Sequence, residues 1–241
     1  MRFGRQLISF ELGEHTSLRQ ISFELKEHIP FTALGAVSGV IFMLFFRNLG
    51  QSASHFLFAV FHPTHVLIGA MVTSAMFRLH RRKTNFIIVL LVGYIGSVGI
   101  ATLSDSIIPY LGEELLGLHI PSEHEIHHLS SAQHDHTGEV HLGFIEEWYL
   151  VNPAAFLGII IAWFLPKTKL PHAGHILIST WASSAHVLMT AQNKITIVIA
   201  MSMLLILFLS TWLPCCFSDI IFPLILTSEP RSEQKHNHCC H

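Results

Sequence analysis

His62-Pro-Thr-His-Val-Leu-Ile-Gly-Ala-Met-Val-Thr-Ser-Ala-Met-Phe77 returns 110 residues later as His172-Ala-Gly-His-Ile-Leu-Ile-Ser-Thr-Trp-Ala-Ser-Ser-Ala-His-Val187. Six of the sixteen positions are identical, among them both histidines. A second pair follows in the same order: Ser104-Asp-Ser-Ile-Ile-Pro109 returns as Ser218-Asp-Ile-Ile-Phe-Pro223, 114 residues on. All four stretches lie in or at the ends of strongly apolar segments. An imidazole or carboxylate is costly in lipid and marks function there more often than elsewhere.

The 241 residues around these stretches are 51% hydrophobic and 12% charged, with a mean hydropathy of +0.50. Soluble domains carry about 25% charged residues, so most of this chain reads as made for a lipid bilayer. A helix needs about 20 apolar residues to cross the hydrocarbon core. Six segments qualify, at about 31–48, 56–77, 85–108, 153–166, 172–191 and 195–226. The fourth is short and can borrow Trp148 to Val151 as an interfacial start. The sixth is long enough to break, and Pro214 marks the place.

The positive-inside rule orients these spans. Arg78, Arg81, Arg82 and Lys83, then Lys167 and Lys169, then Arg231 and Lys235 all fall on one side of a six-span arrangement. The connection 111–152 falls on the other side and has no Lys or Arg. Both termini are therefore expected in the cytoplasm. Three spans per repeat is an odd number, so the second repeat enters from the opposite face. The expected fold is an all-α polytopic membrane protein of two inverted three-helix repeats, 31–110 and 153–226, a plan met in secondary transporters. A cytoplasmic segment 1–30 precedes the repeats, and a tail 227–241 follows them. The cell membrane is the expected location.

Within 1–30, Ile8–His15 is nearly repeated by Ile21–His28, read here as two short amphipathic helices on the membrane surface. The segment has no long apolar core, so no cleavable leader is expected. The longest basic stretch is Arg78–Lys83, which argues against nucleic-acid binding. The expected partners are the bilayer and metal ions, and a homo-oligomer is compatible with the sequence.

Nineteen histidines are the compositional outlier. Residues three apart on a helix share a face, so His62 can converge with His65, and His172 with His175. Asp105 and Asp219 supply carboxylates from the third and sixth spans. His nitrogen and Asp oxygen suit zinc and other first-row divalent ions. The expected metal set is His62, His65, Asp105, His172, His175 and Asp219, with Zn2+ the first candidate and proton exchange a natural driving force.

Secondary candidates are His186, Cys215 and Cys216, all on the same spans. His124 and His128 belong to a His-Glu-x-x-His match in the His-rich connection, a weak peptidase signal in so biased a tract. His238, Cys239, Cys240 and His241 crowd the tail. Vicinal cysteines are poor disulfide material, so soft-metal ligation or packing is the better reading of both pairs.

The leading expectation is a secondary transporter of divalent transition metals, more a carrier than an enzyme. Three other classes compete with it. One is an intramembrane haem protein with bis-His ligation, drawing on His65, His175 and His186. The others are an intramembrane metallohydrolase built on the same His/Asp cluster, and a structural or assembly subunit.

Overall fold

The computed structural model describes residues 14–81, 84–117, 147–166, 169–191 and 195–227. The segments 1–13, 118–146 and 228–241 therefore lie outside the described residues, and with them His124, His128, His238, Cys239, Cys240 and His241. Everything described is helical or a short connection. We name the helices α1 (Glu14–Phe46), α2 (Gln51–His80), α3 (Phe86–Leu115), α4 (Trp148–Phe164) and α5 (Lys169–Ala191). The last, α6, starts at Ile197–Cys216 and continues through Phe217–Ile221 to Phe222–Thr227.

Four stretches are long and apolar enough to cross a membrane: His28–Phe46, Gln51–His80, Phe86–Leu115 and Ile197–Asp219. Helix α4 has 17 residues, and it does begin at Trp148. Helix α5 has 23 residues but spends many of them on His, Ser and Thr. The surface is the inverse of a soluble domain's. Phe31, Leu34, Ile41 and Phe45 on α1, Ile87, Leu91 and Ile95 on α3, and Val198, Met201 and Leu205 on α6 all point outward and are exposed. The buried interior holds His62, His65, Ser104, Asp105, His175, Ser179, Ser183, His186, Ser218 and Asp219. An apolar belt of this extent around a polar centre belongs in lipid, where helices satisfy their own backbone.

Three helices depart from the expected boundaries. Helix α1 runs unbroken from Glu14 to Phe46, so the copy Ile21–His28 is continuous with the helix that carries the span His28–Phe46 and is not a separate surface helix. Helix α3 extends past Pro109 to Leu115. The sixth span does not break at Pro214, which is internal to Ile197–Cys216. Its irregularity comes a turn later, as a π-helical turn at Phe217–Ile221.

That turn has a counterpart at Leu103–Ile107 in α3, and one cause explains both. Pro109 follows Asp105 by four residues, and Pro223 follows Asp219 by four. Proline has no N–H to return to the carbonyl four residues back, and its ring crowds that carbonyl. Each helix absorbs the fault by widening into a π turn, and such turns favour functional sites. The aspartate of each Ser-Asp-x-Ile-x-Pro stretch thus sits inside the widened turn.

Two apolar cores hold the bundle, and neither is one half of the sequence. Ala36, Val40 and Met43 of α1 pack with Val187 and Leu188 of α5, Ala200, Met203 and Leu207 of α6, and Ile195. Val66 and Ala70 of α2 pack with Val89, Val92, Val98 and Ala101 of α3 and with Val151, Ala155 and Ile159 of α4. The first helix of each half has been exchanged: α1 serves α5 and α6, and α4 serves α2 and α3. Glycines allow both close approaches. A Cβ on Gly35 would meet Ile176 and Thr180, and one on Gly158 would meet the Leu67 backbone and Ala70. Arg78 ties the far end of the second core, donating to the Ala162 and Trp163 carbonyls and lying over the Trp163 ring at 4.4 Å.

Gly158→Ala is expected to destabilise the bundle by about 1–3 kcal/mol, because its Cβ would press on the backbone of α2 rather than on a side chain that can turn. The melting temperature of the detergent-solubilised protein reads this, with Gly50→Ala, which meets nothing within 4 Å, as the control.

Candidate metal centre

Helix α2 places Phe58, His62 and His65 along one stripe facing α3 and α5, and all three are buried. The π turn in α3 brings Asp105 against them. Nδ1 of His65 donates to Asp105 Oδ2 at 2.6 Å, and Nδ1 of His62 donates to the same oxygen at 3.0 Å. The other oxygen, Oδ1, accepts from Ser104 Oγ at 2.8 Å and from Ser179 Oγ at 3.4 Å. No polar valence of this buried carboxylate is left to the lipid, as a charge at such depth requires.

The other half repeats the arrangement. Nδ1 of His175 on α5 donates to Asp219 Oδ2 at 2.7 Å, from the π turn of α6. The halves also bond across to each other in matched fashion. Ser183 donates to the Ser104 carbonyl at 3.0 Å, and its counterpart Thr73 donates to the Ser218 carbonyl at 3.4 Å. The side chain of His172 lies outside the described residues, although its backbone belongs to the first turns of α5.

Between the two His–Asp pairs, three donor atoms from three helices close on one point. Donor atoms of His65, His175 and Cys215, all buried, lie within 4.8 Å of one another. With each Nδ1 committed to a carboxylate, Nε2 is the nitrogen left on each imidazole. His65 Nε2 stands 3.8 Å from Cys215 Sγ, and His175 Nε2 faces Gly69, where a Cβ would come within 3.0 Å. Glycine at position 69 is what lets that nitrogen reach inward. Its counterpart in the other half, Ser179, instead reaches both Asp105 and the Cys215 thiol, the latter at 3.6 Å.

The three donors could close around a metal ion, and Zn2+ gives a scale for the distances that would require. With Zn–N of about 2.05 Å and Zn–S of about 2.3 Å, tetrahedral angles set N and S about 3.6 Å apart. The 3.8 Å between His65 and Cys215 is already close to that. The widest separation, up to 4.8 Å, would have to close by about 1.2–1.5 Å to reach such spacings. Three ligands leave the fourth position open, as in zinc sites that exchange what they hold. A carboxylate behind each imidazole is also a familiar outer partner of metal-bound histidine, fixing the tautomer and raising its basicity.

The sequence candidates therefore separate by position. His65 and His175 stand at the centre, Cys215 joins them, and Asp105 and Asp219 stand behind the imidazoles. His62 shares the Asp105 oxygen, stacks on Phe58 at 5.0 Å and has no hydrogen-bond partner at Nε2 among the described residues. Cys216 is buried beside the centre without joining the three donors. His186 is elsewhere, 3.1 Å from Glu113. Sequence reasoning passed over Glu113 and Ser179. Nothing in the apolar pattern marks Ser179, whereas Glu113 was legible only as an acid near a helix end.

The rings of His65 and His175 lie side by side, centroids 4.5 Å apart and planes at 35°. A haem iron takes its two imidazoles end-on from opposite faces of a porphyrin, and this close lateral pair leaves no slot for one. The chain matches no family model, and comparison with curated proteins and with solved structures finds no match either.

Proposed function

We propose that this chain is a multi-pass membrane transporter of divalent transition-metal cations, zinc-like in preference, with His65, His175 and Cys215 as its central ligands. The observation that carries the reading is the convergence of these three buried donors, two of them backed by carboxylates, inside a bundle clothed in lipid-facing side chains. A dication entering the centre meets a thiol that becomes thiolate on binding and two carboxylates behind the imidazoles. Those charges offset its own where water cannot. Incomplete coordination lets the ion leave again, which a structural site would not allow.

The matched His–Asp pairs, the twin π turns and the exchanged α1 and α4 support two inverted repeats, with the metal at the interface between them. The distribution of Lys and Arg supports cytoplasmic termini, and a location in the plasma membrane fits that arrangement. The sequence has no nucleotide-binding motif, so energy for transport would come from ion gradients or from a partner subunit.

The test is zinc binding by the purified protein, together with flux into proteoliposomes for zinc, cadmium, cobalt, manganese and magnesium. One ion per chain and saturable zinc flux are expected. No zinc above background and no flux for any ion would sink the proposal. Cys215→Ser sharpens the test. Loss of the soft donor is expected to weaken zinc and cadmium on the order of a hundredfold while changing manganese far less.

A further inference from the structure

The correspondence between the halves fails at one buried pair. His186 on α5 holds Nδ1 3.1 Å from Glu113 Oε1 on α3, and both residues are fully buried. The matching positions in the other half are Met76 and Thr227, neither of which binds or releases a proton. The pair lies where α1, α3 and α5 end and α2, α4 and α6 begin. That is the end of the bundle carrying the connection 118–146, since His55 near the start of α2 meets Glu147, next to that connection, at 3.9 Å.

A line of contacts joins the pair to the metal centre. The Phe58 ring meets His186 edge-on at 5.6 Å and stacks on His62 at 5.0 Å and 8°. His62 shares Asp105 with His65. Glu113 Oε2 is buried with no hydrogen-bond partner among the described residues, an idle oxygen that costs free energy unless another protonation state uses it. Among the described residues, only His65, His175 and Cys215 bring three such donors together within 4.8 Å, so the pair is not a second chelate.

Among the described residues, few other charges stand near the pair. His62 faces the pair from α2, across Phe58. The neighbours from α1 and α6 are apolar, with Val40, Met43, Met203 and Leu207 around Val187 and Leu188, and Ile206 against Gly112. On α3 the adjacent Glu114 points outward, and Asp105 is engaged at the centre. Arg47, at the same end, is exposed.

We propose that His186 and Glu113 form a one-sided proton site that exchanges its proton against the metal at this end of the bundle. The inference rests on the transport reading above. With its proton the pair is an imidazolium against a carboxylate and carries no net charge. When the proton leaves to water at this end, one negative charge remains, and an approaching dication is drawn past Phe58 toward the centre. The matching positions at the opposite end, Met76 and Thr227, hold no such pair, which gives the exchange a direction.

Two measurements on the full chain test this separately: equilibrium zinc binding in detergent, and zinc-driven proton movement in proteoliposomes carrying a luminal pH dye. Glu113→Gln and His186→Gln are expected to bind zinc within about threefold of wild type while losing at least tenfold of the proton movement. Zinc flux in both should no longer respond to an imposed pH gradient. Glu113→Asp, which keeps the carboxylate, should recover part of the coupling and guards against a folding defect. Undiminished proton coupling in both Gln variants would overturn the assignment, and so would loss of zinc binding in correctly folded variants. A wild-type protein that binds no zinc would instead remove the transport reading beneath it.

Discussion

Asparagine at both 105 and 219 is expected to lower zinc affinity by about 10²–10⁴-fold, because losing an outer carboxylate behind a metal-bound histidine costs roughly 10–100-fold each. In free energy that is about 3–5 kcal/mol. The substitution is nearly isosteric. At position 105 the amide oxygen can still accept from His62 and His65, while its NH2 can donate to the hydroxyls of Ser104 and Ser179, which now bond Oδ1. The fold should therefore survive, and what is lost is the charge that makes each imidazole a strong donor and balances the dication. Competition against a chromophoric chelator measures the affinity, and an unshifted elution profile confirms the fold. Binding within threefold of wild type would show that neither carboxylate acts through its histidine.

His65→Ala and His175→Ala are each expected to abolish measurable zinc binding and flux, whereas His62→Ala should cost no more than about tenfold in affinity. The three residues look alike in the sequence, but they stand differently. Removing either central imidazole leaves two donors for an ion that needs at least three to be held away from water. The double variant should be no worse than either single one, since residues acting as a unit are not additive. His62 bonds the carboxylate behind His65 and has no place among the three converging donors. If all three single substitutions fell equally, His62 would have to be a ligand in its own right.

How much of this was readable from residues alone follows from what each pattern encodes. Apolar length marks a span because lipid demands it, so the four described helices long and apolar enough to cross were visible, and the shorter α4 and the more polar α5 were visible as helices only. Their ends were not, because polar residues such as those in α1 before His28 extend a helix without altering its apolar core. The two Asp–Pro spacings were visible as letters. Their consequence, a π turn rather than the break expected at Pro214, depends on whether neighbouring helices hold the chain straight through the fault. Cys215 sits one turn before Asp219, and that spacing pointed to a shared face. Residue types pointed to His and Asp meeting inside the bundle, but histidine has two nitrogens, and sequence does not say which of them a carboxylate meets. Here α3 and α6 stand behind α2 and α5, and the carboxylates go to Nδ1. The exchange of α1 and α4 was invisible, because hydropathy says that a helix is buried and never by what.

That exchange bears on how the protein can be made. As the chain leaves the ribosome, α1, α2 and α3 enter the bilayer before α4 to α6, yet among the described residues α1 packs its buried apolar side chains mainly against α5 and α6, meeting α2 at the Phe42–Phe61 ring pair. The core of α2 and α3 closes only once α4 has been synthesised, and α1 waits for α5 and α6, far later in the chain. Until then its small-residue face, Gly35, Ala36 and Gly39, lies open to lipid or to the insertion machinery. A gene cut between α3 and α4 would yield two fragments, neither of which can finish a core. Supplied together, each carries the helix the other lacks, so the two products should reassemble where either alone is degraded.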